Sequence, residues 1–101
     1  MIIRKPREKI LNADLMPFLR RMDLNLLVTF DVLMRTGSAT ESAQLLNKTQ
    51  PGVSRDLSRL REIFSDPLLV WNHGQFQPTE RALELHATVR EALGTLEAAF
   101  H

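Results

Sequence analysis

The side chains between Lys48 and Arg59 have the types and spacing that contacts with DNA require. Gln50 carries a paired amide that suits adenine in the major groove, and Arg55 carries a fork that suits guanine N7 and O6 or a phosphate. Pro51 offers an apolar contact to a thymine methyl group. Lys48, Thr49 and Ser54 suit phosphates, and Arg59 completes this set of candidates. Each has a structural alternative: Thr49 can be only a helix cap, and Gln50 only a solvated surface residue.

An apolar stripe predicts the helix that carries these side chains. Its members recur at steps of four, three and four residues: Val53, Leu57, Leu60 and Phe64. This spacing places them on one face of a helix with 3.6 residues per turn, so packing that face on a core directs Pro51 and Arg55 outward. Thr49 is suited to cap the first free amides, and a proline in the first turn costs no hydrogen bond.

Two further helices are predicted upstream. The first has the apolar members Leu24, Leu27, Val28, Phe30, Leu33 and Met34, and it ends near Gly37. A capping-box pattern from Ser38 to Glu41 opens the second, whose apolar members are Ala39, Ala43, Leu45 and Leu46. Thr40, near its amino end, is placed to donate to a phosphate beside free backbone amides. Asn47 and Lys48 break the run, so the pattern describes a helix-turn-helix.

A two-stranded wing is predicted next. Pro67 prevents the preceding helix from continuing, and residues 68–71 form an apolar run with strand character. A turn at residues 72–74 and an alternating segment at residues 75–77 complete the hairpin. Trp71 is expected to pack against the domain or an interface rather than to insert between bases.

A helix of about 20 residues is predicted to follow Thr79, which is suited to be its N-cap. Its broad apolar stripe contains Ala82, Leu85, His86, Val89, Leu93, Leu96 and Phe100. A stripe this wide exceeds what one small domain covers, so these residues are candidates for a dimer interface with the same helix of a second subunit. The alternative is packing on the chain's own three-helix core alone.

Several short motifs, in order and without gaps, resemble the N-terminal DNA-binding domain of LysR-type transcriptional regulators. They are Met22-Asp23-Leu24-Asn25-Leu26-Leu27, Ala43-Gln44-Leu45-Leu46, Thr49-Gln50-Pro51-Gly52-Val53-Ser54-Arg55, Leu60-Arg61-Glu62, Asp66-Pro67-Leu68 and Pro78-Thr79. The resemblance runs from Met22 to about Phe100. It implies a mainly α winged helix-turn-helix, with a three-helix core and a two-stranded wing, followed by a long dimerisation helix. It also implies a homodimer that binds an interrupted inverted repeat in double-stranded promoter DNA.

The implied organisation is an extension at residues 1–21, a winged domain at 22–77 and a linker helix at 78–101. The extension holds six basic and two acidic residues, and it fits a disordered basic arm, a short helix or a segment without a role. The family's larger effector domain, which binds a small metabolite, is not expected within this chain. No small-molecule inducer is therefore expected to bind this segment, whether the chain is a fragment or naturally short.

The wing departs from the family pattern, in which basic residues commonly approach the DNA backbone or minor groove. Residues 68–77 contain no lysine or arginine, and Trp71 stands where an arginine is common. Wing contact with DNA is therefore open, or it depends on Asn72, His73 and Gln75. A module for protein association, with only nonspecific DNA affinity, is the alternative function that this wing favours.

Composition narrows the remaining classes. The chain has 101 residues and a net charge of +1, yet Lys48 to Arg61 holds four basic residues against Asp56 alone, and phosphate attraction depends on this local density. A solvated basic face is the alternative. The sequence has no cysteine, no apolar run long enough to span a bilayer and no signal peptide, so the expected location is cytoplasmic. No catalytic constellation, cofactor motif or metal-ligand set is expected, so an enzyme is not predicted.

Overall fold

The computed structural model describes residues 16–101, which form five helices and one antiparallel hairpin. The helices are α1 (Pro17–Arg20), α2 (Leu24–Thr36), α3 (Ala39–Leu46), α4 (Gln50–Phe64) and α5 (Glu80–Ala99), and the strands are β1 (Leu69–Asn72) and β2 (Gln75–Pro78). Of the predicted extension at residues 1–21, residues 1–15 lie outside the described residues, and α1 forms a single helical turn near its end. No helix within residues 16–101 is long and apolar enough to cross a membrane.

Local sequence signals determine where the helices of the winged domain begin and end. Gly37 terminates α2 with a φ of 67°, and the Ser38 hydroxyl then caps α3 by accepting from the Glu41 amide at 3.1 Å. Asn47 ends α3 in the left-handed conformation, with a φ of 54°. The predicted break before the helix that follows is therefore present.

The core has two connected clusters. One lies between α2, α4 and the first half of α5, with Leu26, Phe30, Leu60, Leu68, Ala82 and Val89 as its buried members. The other joins α2, α3, α4 and the wing through Leu33, Ala43, Val53, Leu57 and Leu69. The α4 stripe therefore packs as predicted. In α3 the prediction was wrong at Leu45, which is 67% exposed, because the helix turns Ser42 inward to hydrogen-bond Thr36 at 2.8 Å between the two hydroxyls.

The hairpin pairs β1 with β2 as the sequence predicts, with Trp71 opposite Phe76. The Phe76 amide donates to the Gly37 carbonyl at 3.3 Å, which connects the wing to the end of α2. The Trp71 ring meets the Phe76 ring edge-on with centroids 5.2 Å apart, but Trp71 remains 63% exposed. The packing of Trp71 is thus a contact with Phe76 inside the wing, and most of its ring is exposed.

The apolar stripe of α5 is only partly available to a second subunit. Ala82 and Val89 are buried in the chain's own core, with Leu85 and Leu93 packed against it. The dimer assignment is therefore corrected for Ala82 and Val89, because a side chain already covered within its own chain has no surface for a partner.

The far end of the stripe differs, since Leu96 is 40% and Phe100 79% exposed. His86, also assigned to the interface, turns toward α2 and hydrogen-bonds the carboxylate of Asp31 at 2.8 Å. This contact arises from a buried carboxylate that the sequence pattern did not reveal, and a place for the half-buried His86 in the dimer interface stays a prediction.

Candidate nucleic-acid interface

The first half of α4 presents a polar face to solvent. Gln50, Pro51, Ser54 and Arg55 are exposed, whereas Val53 between them is fully buried. Burial of the opposite face through the rest of the stripe fixes the rotation of the helix about its axis. The structure therefore brings these four DNA-contact candidates together on one surface.

The start of α4 is held by a tight cap. The Thr49 hydroxyl accepts from the Gly52 amide at 3.1 Å, and Pro51 occupies the first turn. A Cβ added at Gly52 would lie 3.0 Å from the Thr49 hydroxyl oxygen, so this approach leaves little room for a larger residue. Thr49 is thus a cap in the structure: its hydroxyl oxygen accepts from an amide, which leaves its O–H free to donate to a phosphate.

Thr40 lies in the first turn of α3, where it is exposed. The first amides of a helix are free to donate, and the helix dipole makes this end favourable for an anion. The role of Thr40 toward a phosphate at this position stays a prediction.

Lys48 has a different environment from the one expected of a free phosphate ligand. Its ammonium lies 2.7 Å from a carboxylate oxygen of Asp56 and 3.4 Å from the hydroxyl of Thr29, which itself donates to Asp56 at 3.0 Å. The pair connects the turn of the helix-turn-helix to α2 and α4. It also neutralises Asp56, one of the two acidic residues of α4, whose negative charge would otherwise repel DNA. Sequence reasoning missed this cluster of three residues, because Asp56 and Thr29 lie 8 and 19 residues from Lys48 along the chain.

The arginines of α4 divide into two groups. Arg61 donates from Nε to the Pro67 carbonyl at 2.8 Å and from an Nη atom to the Leu69 carbonyl at 2.6 Å, so its fork faces the wing. Arg55 and Arg59 are exposed, and neither belongs to an ion pair in the part of the chain that the structure describes. Fewer cationic side chains are therefore open to DNA than the four basic residues between Lys48 and Arg61 suggest.

A buried carboxylate connects α2 to α5 away from this surface. Asp31 is 4% exposed, and it contacts His86 at 2.8 Å, Arg35 at 2.9 Å and Arg90 at 3.3 Å. Burial alone raises the pKa of Asp31, but the hydrogen bond to His86 and the charges of Arg35 and Arg90 outweigh it, so the pKa lies below its ordinary value. Asp31 thus remains ionised and holds the first half of α5 on the domain.

A three-helix core, a two-stranded wing and an exposed polar start of α4 define a winged helix-turn-helix of the kind that presents a recognition helix. The comparison with protein families agrees: the family described as bacterial regulatory helix-turn-helix protein, lysR family, matches residues 24–83. The chain belongs to the LysR family, which confirms the resemblance.

Individual relatives support the same assignment. The chain is 44% identical over 77 residues to the HTH-type transcriptional regulator LeuO of Escherichia coli K12, which covers 76% of the chain and 24% of LeuO. The probable transcriptional regulator PA0477 of Pseudomonas aeruginosa has a similar structure, with a TM-score of 0.78 and 40% identity over 82% of this chain and 28% of that protein. The chain spans about a quarter of the length of these relatives.

The fold is also that of a domain solved with DNA. The structure titled BenM_DBD/catB site 1 DNA complex matches with a TM-score of 0.74 and 23% identity, covering 78% of this chain and 85% of that one. At this identity the likeness concerns the fold, and it confirms the predicted architecture of a winged helix-turn-helix followed by a long helix.

Proposed function

We propose that this chain is a sequence-specific DNA-binding module of a transcriptional regulator and that it binds an interrupted inverted repeat in promoter DNA as a homodimer. In this proposal it acts without catalysis, in the cytoplasm, and any small-molecule inducer binds outside this segment. The fold shared with a domain solved on DNA supports the proposal. Its relatives are transcriptional regulators.

The observation that carries the proposal is the exposed pair of Gln50 and Arg55 at the start of α4. Five residues of helix advance about 7.5 Å along the axis, and base pairs are stacked about 3.4 Å apart. The two side chains are therefore spaced to reach base pairs about two steps apart in one major groove. Ser54 and Pro51 lie between them on the same exposed face.

Phosphate contacts have separate candidates. Arg59 is exposed one turn beyond Arg55 on α4, and Thr40 is exposed at the start of α3. We infer that these two residues bind the DNA backbone on either side of the base-reading pair, with Lys48 positioned behind them by Asp56. Backbone contacts set the register of a protein on DNA, whereas contacts with base edges set the sequence.

The proposed dimer uses the part of α5 that the chain's own core leaves uncovered. Leu96 and Phe100 are exposed, and they border a groove whose apolar lining includes Leu24, Val28 and Leu93, with the charged residues Asp31, Arg35, Arg90 and Glu97 at its sides. Apolar residues that form one patch are typical of interfaces. We therefore place the second subunit at this groove rather than along the whole stripe.

A titration against two duplexes tests the proposal. An operator with an inverted repeat, selected with the parent chain from a randomised pool, is compared with a scrambled duplex at several salt concentrations. We expect Arg55→Ala to weaken operator binding by roughly 1–3 kcal/mol and to reduce discrimination between the duplexes. Gln50→Ala reduces discrimination in the same way. Arg81→Ala, which removes an exposed charge from α5, is the matched control and leaves the discrimination unchanged.

Arg59→Ala separates backbone attraction from base reading. We expect it to weaken binding to both duplexes equally and to reduce the slope of log affinity against log salt by about 0.9 for each phosphate that residue 59 no longer neutralises. Equal, weak binding of the parent to both duplexes, unaffected by Gln50→Ala and Arg55→Ala, would contradict the proposal. That outcome would favour nonspecific attachment or a protein-association module.

A further inference from the structure

Three elements of the fold meet at one junction, formed by Arg61, Asp66, Leu68 and Thr79. The fork of Arg61, in the last turn of α4, donates to the backbone carbonyls of Pro67 and Leu69 at 2.8 and 2.6 Å. The end of the recognition helix therefore binds directly to the backbone where the wing begins.

The same junction holds the start of α5. One carboxylate oxygen of Asp66 accepts from the Leu68 amide at 2.8 Å and from the Thr79 hydroxyl at 2.7 Å. Thr79 is also the N-cap of α5, because its hydroxyl oxygen accepts from the Ala82 amide at 3.1 Å. Its own amide donates to the Leu68 carbonyl at 2.8 Å. A single threonine thus links the cap of α5 to the loop that follows α4.

The backbone of this loop is constrained further by Leu68. It adopts a φ of 61° while its side chain is fully buried, and residues with a side chain other than Asn, Asp or His occupy this left-handed region only uncommonly. Such conformations persist where surrounding contacts determine them. The polar contacts of Arg61 and Asp66 lie on both sides of Leu68 in sequence, so the junction has little freedom to bend.

We propose that Arg61, Asp66 and Thr79 are positioning residues that set the direction of α5 relative to α4, and through it the half-site spacing that the dimer accepts. The inference rests on the proposed function, in which α5 carries the dimer contact. A helix of 20 residues is about 30 Å long, so a change of about 10° at its start moves its far end by about 5 Å. That displacement exceeds the rise of about 3.4 Å per base pair. The core and Asp31 also hold the first half of α5, so Thr79 acts together with them, and a small change in the direction of α5 alters the separation of the two recognition helices.

Two substitutions of Thr79 separate this positioning role from capping. Aspartate is a good N-cap, but its carboxylate cannot donate to Asp66 and repels it, so Thr79→Asp keeps the cap and removes the link. Thr79→Ser keeps both and is the matched control. The duplexes are the operator selected with the parent chain, the same operator with one half-site scrambled, and variants whose spacing is changed by one or two base pairs.

We expect Thr79→Asp to bind the single half-site within about twofold of the parent, because its recognition helix is intact. We expect its affinity for the two-half-site operator to fall at least about tenfold, with a broadened or shifted spacing optimum, while Thr79→Ser retains the parent profile. Circular dichroism is used to compare all chains at equal folded fraction. An unchanged spacing profile in Thr79→Asp overturns the inference. So does an equal loss on the single half-site and the full operator, which a purely structural role would produce.

Arg61→Lys provides an independent variant if Thr79→Asp folds poorly. Lysine keeps the positive charge but lacks the fork that reaches two carbonyls. We expect the same selective loss on the full operator, with an unchanged salt dependence on the single half-site. Retention of the parent spacing profile by Arg61→Lys contradicts the role of Arg61. A parent chain that does not prefer the inverted repeat over a scrambled duplex contradicts the proposed function instead, before any variant is compared.

Discussion

The apolar stripe of α4 is covered along most of its length, whereas that of α5 is covered in its first half and open at its end. In α4, Val53 and Leu60 are fully buried. Along the α5 stripe, exposure rises from 0% at Ala82 and 7% at Val89 to 40% at Leu96 and 79% at Phe100, the C-cap residue that follows the helix. The last member of the α4 stripe, Phe64, thus packs against the core, whereas the last members of the α5 stripe are exposed.

Helix length accounts for this difference. α2 has 13 residues and α5 has 20, so α5 is about 10 Å longer than the helix it packs on. Leu24, at the start of α2, lines the same groove as Leu96 and Phe100, which shows that the far end of α5 lies beside the beginning of α2. A periodic stripe therefore predicts which face of a helix is apolar, but the length of its neighbour decides how much of that face the domain covers.

The largest expected effect on stability follows from shortening a covered side chain of α4. Leu60 is fully buried in the cluster that joins α2, α4 and α5, so Leu60→Ala is expected to lower the free energy of unfolding by about 2–5 kcal/mol. Urea denaturation followed by circular dichroism measures the change. Leu45→Ala, at a 67% exposed position of α3, is the matched control and is expected to stay within about 0.5 kcal/mol of the parent. Equal costs at the two positions would contradict the assigned core.

Much of the fold was predictable because its signals are local. The glycine after α2, the serine and threonine caps and the spacing of the α4 stripe are short-range features, and each lies where the sequence placed it. Leu45 was misassigned because α3 is only eight residues long, so a rotation of the helix by a fraction of a turn decides whether Ser42 or Leu45 faces inward. The hydrogen bond between Thr36 of α2 and Ser42 stabilises the rotation in which Ser42 faces inward.

The exposed part of the candidate site was also predictable, but its supporting contacts were not. Gln50 and Arg55 are exposed because the stripe behind them is regular. The partners of Lys48 and Arg61 come from other parts of the chain. Two of the three partners of Asp31 also come from another element, as far as 59 residues along the chain in the contact between Asp31 and Arg90. Composition gives the number of charged residues but not their contacts. Of the four basic residues within 48–61, Lys48 and Arg61 already bind groups of the same chain, so fewer than four are free to contact DNA.

The second-largest expected effect on stability comes from Asp31, whose contacts hold the first half of α5 on the domain. Asp31→Asn removes the charge that His86, Arg35 and Arg90 share, and losing a charge-assisted hydrogen-bond partner is expected to cost about 1–3 kcal/mol near neutral pH. The pKa of Asp31 is lowered in the folded chain, so this stabilisation is complete above the ordinary carboxyl pKa of about 3.9. It is lost as the pH falls through the lower pKa of the folded state.

The pH dependence distinguishes this cluster from a general loss of packing. The stability difference between the parent and Asp31→Asn is expected to shrink only as the pH is lowered below about 3.9, as measured by urea denaturation at each pH. Asp23→Asn is the control, because it makes the same change at the exposed N-cap of α2, where asparagine caps equally well. A difference for Asp31→Asn that stays constant with pH would mean that the ionised carboxylate does not hold α5.

The smallest expected effect on the stability of the monomer belongs to the uncovered end of α5. Phe100 is 79% exposed, so Phe100→Ala is expected to change the free energy of unfolding by less than about 0.5 kcal/mol at concentrations where the chain is monomeric. Its effect on association is expected to be much larger, since covering a phenylalanine side chain contributes about 1.5–3 kcal/mol. Sedimentation equilibrium of the parent and the variant measures the dimer dissociation constant.

Leu83→Ala is the matched control for Phe100→Ala, because Leu83 is also exposed on α5, at 56%, but lies outside the stripe. A higher dissociation constant for Phe100→Ala and an unchanged one for Leu83→Ala would assign the open end of the stripe to the second subunit. Equal effects of the two substitutions would mean that association does not use this groove. The contrast between the stripes would then reflect the excess length of α5 alone, because the start of α2 borders Leu96 and Phe100 without covering them.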